Sequence, residues 1–284
     1  MALYIEIGNS LIKVLNVLKT KKETKILSFK NIEKAMEKDN IPTIAEEILA
    51  VDQKTKASKI IANNNYVYYR DLKIPALDEK QTTDIIQNEL VIGQNLGNMI
   101  CDYIPLTKAD DDGMRRVFGC ALPEDIIVNY IDLFKAIKCK NPAGIDIAYA
   151  GLFEYLSAAK ILDEDATMVV EVSKQLTRIF LFDGKTYILV RAIRINTEVE
   201  DVLKFTIKEE INKMSQFQTS RNKESKIGHI YFFGDYARID KVVDDCKRAF
   251  GTNVEFLPMV EEIEVPSSFN YLENIYSLGS ILGD

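Results

Sequence analysis

The stretch Ile5-Glu6-Ile7-Gly8-Asn9-Ser10-Leu11-Ile12-Lys13-Val14 decides how this chain is read. Two apolar, β-branched runs flank a Gly-Asn turn, which is the pattern of a hairpin. The same opening returns in the second half as Glu171-Val172-Ser173-Lys174-Gln175, again with strand sequence behind it. Each opening continues into further antiparallel strands and then helix, so the chain reads as an internal duplication. Two ββαβ-type halves imply a cleft where the two hairpin turns meet, and backbone N–H groups at such turns can cradle the phosphates of a nucleotide.

Working outward, the spacing predicts a helix over 42–53, a strand at Lys59 to Asn63, and then a change of pattern. Strands at Tyr66 to Pro75, Met99 to Leu106 and Arg115 to Ala121 alternate with helices at Asp78 to Gln94 and Pro123 to Lys138. Pro123, Glu124 and Asp125 suit a first helical turn, where fixed φ and the helix dipole favour proline and acids. This block reads as an inserted β-α-β-β-α module. A strand at Ile145 to Ile147 and a helix from Ala148 to Leu162 follow. The second half then runs as strands at Thr167 to Val172, Gln175 to Phe182 and Thr186 to Ile195, and a helix at Thr197 to Phe217 opened by a Thr197/Glu200 capping box. Its last elements are a strand at Ile227 to Gly234, a helix at Ala237 to Phe250, a strand at Asn253 to Leu257 and a closing helix at Tyr271 to Ile281.

Composition limits the chemistry. The 284 residues carry 36 Lys plus Arg against 43 Asp plus Glu, a net charge of -7, with 47% hydrophobic residues. That is a globular chain with a real core and no electrostatic footprint for nucleic acid. Cys101, Cys120, Cys139 and Cys246 form no C-x-x-C pair, so thiolate zinc and dithiol redox sites are not on offer. His229, the one histidine, lies in strand sequence and reads as a satisfied strand residue rather than a catalytic base. Neither a signal peptide nor a spanning segment is legible, which predicts a cytoplasmic or peripheral protein.

With these residues in place, the chain resembles the actin-like ATPase superfamily and, within it, the PilM-like type IV pilus assembly proteins, with FtsA more distant. The resemblance covers nearly the whole chain. It rests on the first hairpin with Lys13, on Gln87-Asn88-Glu89-Leu90 before Cys101-Asp102-Tyr103, on Gly119 to Ile127, and on Asn141-Pro142-Ala143-Gly144-Ile145-Asp146-Ile147. It implies an α/β, ribonuclease H-like two-domain fold: residues 1–66 with 142–163 as first domain, 67–141 as the inserted module and 164–284 as second domain. It also implies ATP with magnesium. Glu6, Gly8, Asn9, Ser10 and Lys13 would serve the first phosphate turn, Glu171 and Ser173 the second, Gly234 and Asp235 the adenosine turn, and Glu6 with Asp146 the metal.

Three departures predict that ATP is bound weakly or not at all. Glu6 stands where the family carries Asp, Ser173 where a glycine supplies positive φ, and Asp235 where a second glycine meets the nucleotide. Glu6 and Asp146 also read plainly as a strand-end polar residue and a helix cap. Asp110-Asp111-Asp112-Gly113 lacks the EF-hand alternation and reads as a solvated turn. Two function classes follow. One is a pilus scaffold that binds the cytoplasmic tail of a PilN-like inner-membrane protein in a groove beside the module, with Tyr66, Tyr68 and Tyr130 as contact residues and attachment to the inner membrane only through that partner. The alternative is an ATPase or sugar-kinase-like enzyme. Self-association, as in actin relatives, is left open.

Overall fold

The computed structural model describes residues 1–52, 57–91, 97–162, 165–173, 176–194, 199–251 and 253–284. The chain divides into two compact units, Met1–Tyr155 with Glu261–Phe269 and Tyr276–Asp284, and Leu156–Val260 with Asn270–Ile275.

In the first unit β1 (Ala2–Ile7), β2 (Ile12–Lys19) and β3 (Thr24–Ile32) form an antiparallel meander. Leu3 to Ile7 are all buried, the signature of a strand covered on both faces. Helix α1 (Ile41–Leu49) buries Ile41, Ile44, Ala45 and Ile48, an i, i+3, i+4, i+7 stripe. Strand β4 (Ala57–Ala62) then lies parallel to β1.

The inserted segment builds its own layer. Strand β5 (Tyr68–Pro75), helix α2 (Glu79–Leu90), β6 (Met99–Pro105), β7 (Met114–Pro123) and helix α3 (Glu124–Ala136) follow in order. The three strands form a separate antiparallel sheet in the order β5-β7-β6. Asp78 caps α2, its Oδ1 accepting from the Gln81 N–H at 2.9 Å. Ile86 and Leu90 of α2 pack on Leu72, Ile74 and Val117 of the sheet. On the other face Tyr69 stacks on Phe118 at 5.3 Å, and Tyr149 meets both rings edge-on.

Strand β8 (Asn141–Ile147) pairs parallel with β4 and leads into α4 (Ala148–Ala159). It begins four residues before the strand predicted at Ile145, across Pro142 and Gly144. An edge position explains this, since a proline without an N–H is tolerated on the unpaired side.

The second unit repeats the plan. β9 (Ala166–Val172), β10 (Leu176–Asp183) and β11 (Thr186–Arg194) are an antiparallel meander. Helix α5 (Glu200–Arg221), strand β12 (Ile227–Phe233) parallel to β9, helix α6 (Ile239–Phe250) and β13 (Val254–Phe256) parallel to β12 complete it. Its sheet order, β11-β10-β9-β12-β13, is that of β3-β2-β1-β4-β8, so the duplication read from the two hairpins holds at the level of topology. Helix α5 runs past Phe217 because Gln218 is buried and donates to Ser225 Oγ at 2.9 Å. Thr197 of the proposed capping box lies outside the described residues.

The chain's last segments return to the first unit. A two-residue strand, β14 (Ile263–Glu264), extends the first sheet beside β3. Helix α7 (Ile275–Gly283) crosses α4 where the two backbones touch: a Cβ built on Gly279 would fall 1.7 Å from the Gly151 carbonyl oxygen. The second domain drawn unbroken over 164–284 therefore differs from the observed units, because a strand of two residues carries almost no periodic signal.

Candidate functional site

In the first hairpin Glu6 and Lys13 face each other across β1 and β2. The turn is closed by the Gly8 N–H on the Leu11 carbonyl at 2.9 Å, and a Cβ on Gly8 would lie 2.9 Å from that same oxygen, so a side chain would press on the bond that closes it. Asn9 and Ser10 are exposed at the tip, and Asn9 Oδ1 accepts from the Asn65 N–H at 2.9 Å. Glu6 is buried at 2% exposure. Its Oε1 accepts from Lys13 Nζ at 3.3 Å and Asn63 Nδ2 at 3.0 Å, and its Oε2 from Ser277 Oγ at 2.8 Å.

Glu6, Ile61 and Asp146 are in register across β1, β4 and β8, so all three sit at one level of one sheet face. The Asp146 carboxylate is 2.7 Å from Lys59 Nζ, and that ammonium also lies 2.5 Å from Asp284 Oδ1. Tyr4 Oη donates to Asp284 Oδ2 at 2.7 Å, and Ser280 Oγ reaches Asp146 at 3.5 Å. Burial works to lower the Lys59 pKa, but the two carboxylates outweigh it and hold the ammonium above its ordinary value. Burial, reinforced by Asp284, pushes the Tyr4 hydroxyl far up.

The second hairpin has the same construction. Glu171 faces Arg178 across β9 and β10, with Nη1 2.6 Å from Oε2 and both side chains nearly buried. The Ser173 N–H binds the Leu176 carbonyl at 3.0 Å, and its Oγ donates to the same oxygen at 2.7 Å. Among the described residues the non-glycine positions with positive φ are Lys138 and Lys160. Ser173 itself is not among them, and its hydroxyl helps to tie the two strands at this hairpin; Lys174 and Gln175 lie outside the described residues. Gly234 is required where it stands, at φ 131° with a built Cβ only 2.2 Å from the Val172 carbonyl oxygen. Asp235 follows it, half-buried.

In this structure the candidate nucleotide residues are engaged with one another and with the chain's own cations. Each acid assigned to the metal or phosphates already neutralises a lysine or arginine of the chain, and among the described residues no group of three or more His, Cys, Asp and Glu side chains is placed to hold a metal.

Tyr66 and Tyr68 of the module are exposed. Tyr130 is not: it is buried, its hydroxyl accepts from Asn64 Nδ2 at 2.6 Å, and burial pushes its pKa up to about 12. Its assignment as a partner contact is corrected on that ground. The surface beside it carries a groove of about 670 Å³, lined by Lys38, Asn98, Pro123, Glu124, Asp125 and the exposed Val128. Lys59, Asn63, Arg178, Ser277 and Asp284 were not singled out from sequence. Arg178 had a readable signal, for it follows Glu171 by seven residues as Lys13 follows Glu6.

The duplicated sheets with an acid at each hairpin define an actin-like ATPase fold, and solved structures bear this out. A chain of a PilM-PilN type IV pilus biogenesis complex superposes with TM-score 0.76 at 15% identity, over 98% of this chain and 96% of that one. A Bacteroides thetaiotaomicron protein with actin-like ATPase fold and unknown function gives 0.58 at 14%, over 100% and 95%. The cytoplasmic domain of EpsL, an inner membrane component of the Vibrio cholerae type II secretion system, gives 0.51 at 6%, over 99% and 94%. No protein-family model and no curated protein matches the sequence. Among the described residues no helix is long and apolar enough to cross a membrane.

Proposed function

We propose that this chain is an assembly scaffold of a type IV pilus or related secretion machine, that it holds the cytoplasmic tail of a PilN-like inner-membrane protein, and that its ATP binding is weak or lost. The observation that carries the reading is the likeness to a chain of the PilM-PilN complex over nearly the full length, inserted module included. Peptide capture needs an open groove with apolar and polar contacts, and the groove at the start of α3 offers Val128 beside Glu124 and Asp125. An enzyme reading would require at least one of Glu6, Asp146 or Glu171 to leave its cationic partner before it could organise magnesium. The chain then reaches the inner membrane through its partner.

The test is a pull-down of the full chain with the cytoplasmic tail of a PilN-like bitopic protein, run with calorimetry on Mg-ATP. Retention of the tail and a Mg-ATP dissociation constant above about 10 μM, roughly -6.8 kcal/mol, are expected. Tighter nucleotide binding would count against the scaffold reading as stated.

A further inference from the structure

We propose that the chain's own ammonium groups stand where an actin-like first unit would hold a divalent cation, and that the acids they neutralise serve as anchors for helix α7. Ser277, Ser280 and Asp284 recur at i, i+3 and i+7, so they share one face of the C-terminal segment. Each meets the polar side of the first sheet. Ser277 donates to Glu6, Ser280 reaches Asp146, and Asp284 takes both Lys59 and Tyr4. Lys19 Nζ donates to the Ile281 carbonyl at 2.8 Å, placing a cation at the end of α7 where the helix dipole is negative.

The charges close around this seam. Lys13 sits on Glu6, and Lys59 bridges Asp146 and Asp284. A divalent ion entering at Asp146 would have to expel Lys59, which is tethered through its own strand and nearly buried, and would leave that ammonium facing a new positive charge. The tethered cation wins because no translational freedom is lost in placing it. In the second unit Arg178 stands to Glu171 as Lys13 does to Glu6, so both copies of the duplication neutralise the hairpin acid with a cation of the chain.

This goes beyond the scaffold reading, and the Lys59 variants, whose melts involve neither partner peptide nor nucleotide, test it separately. Thermal melts of the full chain are recorded with EDTA, with about 10 mM MgCl2 or CaCl2, and with Mg-ATP. For the wild type the account expects one melting temperature in all four. Lys59→Met leaves Asp146 and Asp284 facing each other without their cation; its melt should fall, and Mg2+ or Ca2+ should restore about 3 °C or more of the loss. Should Lys59→Met not fold, Lys59→Met/Asp146→Asn removes the repulsion, and it should melt near the wild type with no response to metal. A wild-type shift above about 3 °C with Mg-ATP overturns the inference. So does a Lys59→Met protein that folds but ignores both cations.

Discussion

Replacing Gly279 by alanine tests the α4–α7 crossing on which the polar seam depends. Alanine is favoured over glycine inside a helix by about 1 kcal/mol, so propensity alone predicts stabilisation. The structure reverses the sign. The new Cβ would lie 1.7 Å from the Gly151 carbonyl oxygen, against an ordinary contact of about 3.5 Å. The Cβ is fixed to one helix and the oxygen it meets is backbone of the other, so the helices must separate, and overpacking of this kind costs about 1–3 kcal/mol. Separation also lengthens the Ser277–Glu6 bond, whose acceptor is charged, for a further loss of about 1.5–3 kcal/mol. The net expectation is a destabilisation of about 2–5 kcal/mol. Gly283→Ala is the control: its Cβ would meet Glu154 Cγ at 2.9 Å, and that flexible side chain can swing away, leaving the change within about 1 kcal/mol. Urea unfolding followed by far-UV circular dichroism measures both variants. A Gly279→Ala protein within about 1 kcal/mol of the wild type would refute the close crossing.

Four further outcomes are expected. Glu171→Gln strips a nearly buried arginine of its carboxylate and should cost about 3–5 kcal/mol in urea unfolding, while Glu171→Gln/Arg178→Met should recover most of it; equal losses would contradict the pairing. Tyr130→Phe leaves the buried Asn64 amide without its acceptor, for about 1–3 kcal/mol. Because burial lifts the Tyr130 phenol to about 12, the unfolded chain releases that proton first, so native stability should fall as pH rises from about 10 towards 12, and Tyr130→Phe should flatten the fall. Burial also pushes Cys120 and Cys246 up to about 12, so at pH 8 both should react with a thiol reagent only on unfolding, whereas Cys139 reacts in the folded chain; one common rate for all four would contradict this.

Much of the architecture was legible because it is written locally. An acid, an apolar pair and a tight turn recur at Glu6 and Glu171, and β-branched runs with period-appropriate spacing follow each. What lay hidden depends on separation along the chain. Glu6 meets Ser277, 271 positions away, and no local pattern announces such a bond. Gly151 and Gly279 matter only because two helices cross there. The run Asn63-Asn64-Asn65 follows β4 and ties Glu6, Tyr130 and Asn9 together, which its composition does not announce. Tyr130, expected to be a contact residue, lies instead on the buried stripe of α3 with Leu133 and Phe134, three and four residues on, a helical spacing that the sequence carries.

The central claim is peptide capture, and a fluorescence-anisotropy titration tests it most directly. The labelled cytoplasmic tail of a PilN-like bitopic protein is titrated with the full chain, with and without Mg-ATP. A small peptide interface predicts a dissociation constant on the order of 1–100 μM that Mg-ATP leaves unchanged. Val128 is 47% exposed in the groove, so Val128→Asp should fold normally and weaken binding by at least about tenfold, or 1.4 kcal/mol. No association up to about 1 mM, where binding is worth only around -4 kcal/mol, would contradict the account.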